Sequence, residues 1–201
     1  MNNSLLVLDG ISKSFPGVKA LDKVSFEVKE GTVHALVGEN GAGKSTLIKI
    51  LAGIYQPDEG SITLGGEKVF FKTPYESLCM GISVVHQELK LSEPLSIAEN
   101  IFLGNLMYKG IRVDWKGMRK KARELLDKFG MPIDVNEPVI NLSISQMQII
   151  EICKAVNHTC RLLIMDEPFK GLDETLKFKV IEYVKEKTAG KTLIIVTHDR
   201  I

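Results

Sequence analysis

The residues with the clearest chemistry form one stretch, Val37-Gly38-Glu39-Asn40-Gly41-Ala42-Gly43-Lys44-Ser45-Thr46. Its spacing fits G-x-x-x-x-G-K-[ST] without substitution, a pattern in which the backbone N–H groups of a glycine-rich loop cradle phosphates. Gly38, Gly41 and Gly43 let that backbone turn inward and approach an anion closely. Glu39, Asn40 and Ala42 complete the loop between them. Lys44 is placed to reach the β- and γ-phosphates, the Ser45 hydroxyl to ligate Mg²⁺, and Thr46 to donate to the α-phosphate. The flanks agree with this reading. Thr32 to Val37 reads as a short buried strand, and Ser45 to Ala52 as a helix that Gly53 stops. The start of that helix adds partial positive charge and unpaired N–H donors. The stretch implies a nucleoside triphosphate ligand.

A second group of candidates stands at the ends of apolar strands, where an open α/β sheet places its ligand site. Arg161 to Met165 is apolar after its first residue and runs into Asp166-Glu167-Pro168. Asp166, at the strand tip, can hold Mg²⁺ through water. Glu167 can orient or deprotonate a water aimed at the γ-phosphate. Gln87 follows the strand Ile82 to His86, and it either touches Mg²⁺ or the attacking water or is an exposed loop amide. His198 follows the strand Thr192 to Val196, and contact with the γ-phosphate is favoured over a structural role. Phe15, shortly before the phosphate loop, reads equally as a core aromatic or as a stacking platform for a nucleobase.

The elements that must position these groups alternate strand and helix. Ser4 to Asp9 and Val24 to Val28 read as strands around a turn at Ile11 to Val18. Ser61 to Leu64 and Lys68 to Phe71 flank Gly65-Gly66 as a hairpin. These strands form an antiparallel sheet beside the nucleotide core. From Leu91 to about His158 helical spacing takes over. Ser96 to Leu103 is one helix. A second is capped by Asp114, ended by Gly130 and given an apolar face by Met118, Ala122, Leu125 and Phe129. A third runs from about Ser145 to Val156. Asp173 caps a further helix ending near Gly190. The expected fold is therefore α/β, with a P-loop core, an N-terminal antiparallel β subdomain and a helical insertion over about 88–158, in a single domain spanning 1–201.

Composition narrows the class. The chain has 201 residues, 44% of them hydrophobic and 25% charged, as in ordinary globular domains. A net charge of +1 gives no global pull toward nucleic acid. The basic run Arg119-Lys120-Lys121 has no aromatic platform and reads as a solvated helix face. No apolar run approaches the roughly 20 residues of a membrane span. The first residues lack the pattern of a signal peptide. Cys79, Cys153 and Cys160 lack C-x-x-C spacing and read as buried reduced thiols of a cytosolic protein.

Together these motifs resemble the ATP-binding cassette (ABC) ATPases along nearly the whole chain. Gly38 to Thr46 resembles the Walker A loop, Gln87 the Q-loop glutamine, and Leu142-Ser143-Ile144-Ser145-Gln146 the signature sequence. Leu162 to Glu167 resembles Walker B with its catalytic glutamate, Asp173 the D-loop aspartate and His198 the switch histidine. Phe15 falls where the family has its adenine-stacking aromatic. Phe15 to Leu21, His34 to Lys44 and Leu142 to Ile152 are similar to ATPase subunits of bacterial monosaccharide importers, especially the galactose/methyl-galactoside branch.

The resemblance implies an ATPase using ATP and Mg²⁺ to energise a membrane importer, peripheral to the cytoplasmic face of the membrane. It implies head-to-tail pairing with a second cassette, so that Ser143, Ser145 and Gln146 close over nucleotide held by the partner. It further implies a membrane permease and, indirectly, a sugar-binding protein, with no nucleic acid. Such subunits carry two cassettes in tandem, of which this chain corresponds to the first, read as incomplete at its C-terminus. Ser145 stands where the signature usually has glycine, and Phe169-Lys170-Gly171-Leu172-Asp173 departs from the sugar branch. The alternatives are a nucleotide-binding interaction module without turnover and a soluble ABC ATPase outside transport.

Overall fold

A computed structural model describes residues 4–39, 41–87, 89–157 and 160–197. In chain order it contains β1 (Ser4–Phe15), β2 (Val18–Lys29), β3 (Val33–Val37), α1 (Lys44–Leu51), β4 (Glu59–Leu64) and β5 (Glu67–Val69). Next come α2 (Pro74–Cys79), β6 (Ile82–Val85), α3 (Ile97–Phe102), β7 (Tyr108–Lys109), β8 (Arg112–Val113) and α4 (Trp115–Phe129). Then follow α5 (Ile144–Asn157), β9 (Leu162–Asp166), α6 (Glu174–Lys187) and β10 (Thr192–Thr197). The chain groups into two units. One comprises Met1–Val84, Cys160–Glu167 and Thr188–Ile201, the other Val85–Thr159 and Pro168–Lys187.

The first unit carries an antiparallel sheet in the order β2-β1-β4-β5 and a second sheet in the order β3-β10-β9-β6. β10 runs parallel to both β3 and β9. β9 is buried along its whole length, which is why it reads as an unbroken apolar run up to Asp166. Helix α1 buries Leu47, Ile48, Ile50 and Leu51 in a core shared with Leu6, Leu8 and Ile11 of β1, Leu162 and Ile164 of β9, and Ile194 and Val196 of β10.

The strands of the first unit differ from the sequence reading in two details. The turn expected at Ile11 to Val18 is mostly strand. β1 continues to Phe15 through several register shifts against β2, and these bulges break the alternation a straight strand would show. β3 is an edge strand with Val33 63% and Val37 61% exposed, so it is not the buried strand expected.

The second unit is built on α3, α4, α5 and α6. Ser96 and Glu99 form a reciprocal capping box at the start of α3. Asp114 caps α4 through Gly117 N–H at 2.9 Å, and Gly130 ends it in the left-handed conformation. The buried stripe of α4 is Met118, Ala122, Leu126 and Phe129, so Leu126 takes the place expected of Leu125. Phe129 meets Tyr183 of α6 edge to face at 5.3 Å, and Lys128 pairs with Glu186 at 2.7 Å. The small β7–β8 hairpin interrupts a region read as wholly helical. Among the described residues no helix is long and apolar enough to cross a membrane. Cys153 and Cys160 are buried thiols, whereas Cys79 is exposed, contrary to expectation.

Candidate functional site

The phosphate loop leaves the carboxyl end of β3 and enters α1. Gly41 and Gly43 hold φ values of 83° and 82°, in the left-handed region that favours glycine. A Cβ on Gly43 would stand 2.3 Å from the Ala20 carbonyl oxygen and 2.8 Å from Leu21 Cδ2, so the loop lies flat against β2 where only glycine fits. A Cβ on Gly38 would come no closer than 3.5 Å to Ala42 Cβ, so this glycine is not required by packing. The Lys44 ammonium donates to the carbonyls of Gly38 at 2.5 Å and Glu39 at 2.8 Å, which draws it back over the loop. Ala42 N–H closes a turn on the Glu39 carbonyl at 3.2 Å. No side chain caps α1 and its first turn holds no acidic residue, so its N–H donors are not spent on a competing carboxylate. Ser45 is exposed and Thr46 half-buried on that turn. Asn40 lies outside the described residues.

The strand register brings Asp166 and Glu167 of the second group to the same edge of the sheet. Val37 pairs with Thr197, and Asp166 pairs with Val196, so the ends of β3, β10 and β9 lie side by side. At one strand spacing per step, the phosphate loop and Asp166 leave the sheet roughly 10 Å apart. Asp166 is 6% exposed. Glu167 follows with φ 50°, a left-handed conformation uncommon outside glycine, and its N–H donates to Val196 O at 3.0 Å. Such strain persists where the surroundings over-determine it, and it clusters at functional sites. His198, the next residue after β10, lies outside the described residues.

Phe15 ends β1, half-buried and outside the core cluster, in a T-shaped contact with the Tyr55 ring at 5.3 Å between centroids. Of its two sequence readings, core aromatic and stacking platform, the first is not matched by a place in the buried cluster.

A family model described as ABC transporter matches residues 21–170. The chain belongs to the ABC transporter family. It is 48% identical over 200 residues to the galactose/methyl galactoside import ATP-binding protein of Mannheimia succiniciproducens, covering 98% of this chain and 39% of that protein. It is 47% identical over 197 residues to a putative ribose/galactose/methyl galactoside import ATP-binding protein of Agrobacterium fabrum, covering 96% of this chain and again 39% of the relative. The chain thus spans about two fifths of the length of these relatives. Among solved structures it is similar to a dimeric ATP-binding cassette in a post-hydrolysis state bound to ADP and Pi. That match has a TM-score of 0.83 and 26% identity, over 96% of this chain and 88% of that one. A nucleotide-free cassette from an ABC transporter matches with a TM-score of 0.80 and 28% identity, over 97% and 81%.

In this ABC chain the signature stretch starts α5. Ser143 and Gln146 form a reciprocal pair: Ser143 N–H donates to Gln146 Oε1 at 2.8 Å, and Gln146 N–H to Ser143 Oγ at 3.4 Å. Ser145, where glycine is usual in the family, sits in regular helix without positive φ, and its hydroxyl lies 3.1 Å from Ser143 Oγ. Its backbone therefore needs no glycine. Asp173 caps α6 by accepting from Leu176 N–H at 2.8 Å, a local role that spacing alone implied. Gln87 is exposed in the loop after β6.

Sequence reasoning missed Glu151, a carboxylate 4% exposed inside α5. Burial pushes its pKa above the ordinary 4.5; Lys154, whose ammonium is 4.0 Å from Oε2, and the Lys90 N–H only partly oppose this. Lys154 also donates to the Lys90 carbonyl at 3.0 Å, so both α5 side chains hold the loop after Gln87. A raised carboxyl pKa means that the group favours folding below the unfolded value and that this contribution is lost as pH rises through the folded value. Glu151→Gln, which keeps an acceptor for Lys90, is therefore expected to be more stable than the native chain at pH 7. That advantage should vanish below pH 4.5. Urea unfolding at the two pH values checks this, and a neutral-pH loss of stability would refute the sign.

Proposed function

We propose that this chain binds ATP on the loop 38–46 and hydrolyses it, as one ATP-binding domain over 1–201 that energises a membrane importer for a monosaccharide. The observation that carries the reading is the alignment of the phosphate loop, Asp166 and Glu167 along one edge of a parallel sheet. The names of the relatives, galactose and methyl galactoside import ATP-binding proteins, support the transport part.

Lys44 and the first-turn N–H groups of α1 bind and orient the phosphates, with Ser45 and Thr46 adding hydroxyls. Glu39, Asn40, Gly41, Ala42 and Gly43 supply the backbone cradle, and Phe15 takes the adenine. The oxygen donors proposed for Mg²⁺, Ser45 and Asp166 with Gln87 as a further amide, suit a hard cation that keeps several waters and substrate oxygens. When bound, Mg²⁺ neutralises negative charge on the phosphate oxygens. Glu167 accepts the proton of the attacking water, and His198 steadies the γ-phosphate. The uncapped start of α1, the exposed Ser45 hydroxyl and the buried Asp166 at the same sheet edge fit this assignment. Most of the rate gain then comes from positioning and fixed charge.

Ser143, Ser145 and Gln146 present a helix start that would close over nucleotide on a second cassette, and the dimeric neighbour supports such pairing. The permease is the proposed membrane partner, with the cytoplasmic face of the membrane as the location. Co-purification tests the importer reading. The chain, expressed with a permease and its membranes solubilised in mild detergent, is expected to be retained on the tagged permease. Recovery only in the unbound fraction would favour a cassette that works outside transport.

A further inference from the structure

The turn after α1 is bonded at several points to the end of β1. Asp58 accepts from the Lys13 ammonium at 2.6 Å and from Ser14 N–H at 2.7 Å, while its own N–H donates to Ser12 O at 2.9 Å. Three consecutive residues of β1 are thus fixed by one aspartate, and the next residue is Phe15. Tyr55, three residues before Asp58, meets the Phe15 ring edge to face, and Lys13 lies 5.8 Å from the centre of the same ring. Tyr55 is in turn held from the helix: its N–H donates to Lys49 O at 3.1 Å, and the Lys49 ammonium stands 5.5 Å from its ring centre. The Lys13 and Ser14 hydrogen bonds keep the Asp58 carboxyl below its ordinary pKa, so it is charged at neutral pH.

We propose that Tyr55 and Asp58 are positioning residues for the nucleobase: Tyr55 through its T-shaped contact with the Phe15 ring, and Asp58 through the three residues that precede Phe15, brace that ring so that it is already held in place when the base arrives. The inference rests on the reading of Phe15 as the base-stacking aromatic. Its consequence is a mechanical link. Helix α1 begins in the phosphate loop and spans about 12 Å. Its far end carries the turn that seats the base platform. This helix, together with the seating of Gly43 on Ala20 of β2, therefore fixes the separation of the triphosphate and base subsites, and the ligand meets both already built. Preorganisation of this kind improves affinity by removing ordering cost at binding.

The test compares ATP with inorganic triphosphate, which has no base, by calorimetric titration in the presence of Mg²⁺. For the native chain, Phe15→Ala, Tyr55→Leu, Tyr55→Phe and Asp58→Ala, the ratio of the two dissociation constants is read. Tyr55→Leu and Asp58→Ala are each expected to weaken ATP about five- to tenfold, a part of what one base–aromatic stack supplies. Triphosphate binding should stay within about twofold and so report an intact loop, and Tyr55→Phe should keep native ATP affinity. If Phe15→Ala lowers ATP affinity but Tyr55→Leu and Asp58→Ala do not, the brace is wrong and the stacking reading survives. If Phe15→Ala itself leaves the ratio unchanged, the stacking reading fails and the brace with it. If either turn variant weakens ATP and triphosphate together, the turn supports the fold of the loop rather than the ring, and the proposal falls.

Discussion

Replacing Glu167 with Gln is expected to lower ATP turnover by about 10²–10⁴-fold, the range for a positioned general base. ATP affinity should stay unchanged. The substitution is nearly isosteric, so the left-handed turn at φ 50° and the hydrogen bond from its N–H to Val196 O survive. What is lost is the ability to accept a proton. Phosphate release with ATP in excess measures the first effect, and native turnover in the variant would remove Glu167 from the catalytic role. With hydrolysis blocked, light scattering should show a dimer only in the presence of Mg-ATP. A monomer that binds ATP would mean that the Ser143–Gln146 helix start does not close over nucleotide in this chain. The same residue gives a stability readout. Glu167→Gly relieves the left-handed strain and is expected to raise stability by roughly 0.5–1 kcal/mol while also losing turnover. Gain of stability with loss of activity is the signature of strain held for function.

The parts of this site that were legible in the sequence are those in which chemistry and local structure coincide. A strand, a glycine loop and a helix must follow one another for the Lys44 stretch to bind phosphate, and all three are written within twenty residues. β9 was legible because a strand buried on both faces needs no alternation, so Leu162 to Met165 stands out before Asp166. The misreadings come from longer-range geometry. The strand character of Ile11 to Phe15 is masked by register shifts that put Ser12 in the interior at 4% exposure. Val33 and Val37 are apolar residues on an edge strand, and no local pattern separates that position from a central one. Asp58 lies 44 residues from the Ser14 N–H it accepts from, so its hold on the end of β1 could not be read from either segment alone. Glu151 is written like any surface glutamate of a helix, and only the packing of α5 shows it buried.

Gly43→Ala should be far more damaging than Gly41→Ala, although both glycines have φ near 82°. The shared left-handed conformation costs an alanine about 1–2 kcal/mol in either place. At Gly41 nothing lies within 4 Å of an added Cβ, so strain is the whole cost. At Gly43 the Cβ would sit 2.3 Å from the Ala20 carbonyl oxygen, and backbone cannot rotate aside as a side chain can. Displacing β2 or the loop adds the overpacking penalty of about 1–3 kcal/mol, for a total of about 2–5 kcal/mol. In a chain of this size that is a fall in melting temperature on the order of 10 °C, against a few degrees for Gly41→Ala. Thermal unfolding measured for both variants decides it. The functional consequence follows from which side yields. If the phosphate loop lifts off β2, ATP and inorganic triphosphate both lose affinity. If the β1–β2 hairpin moves instead, Phe15 moves with it and only ATP is weakened. Equal melting temperatures for the two variants would show that Gly43 is not pinned against Ala20, and the close seating of the phosphate loop on the hairpin would have to be abandoned.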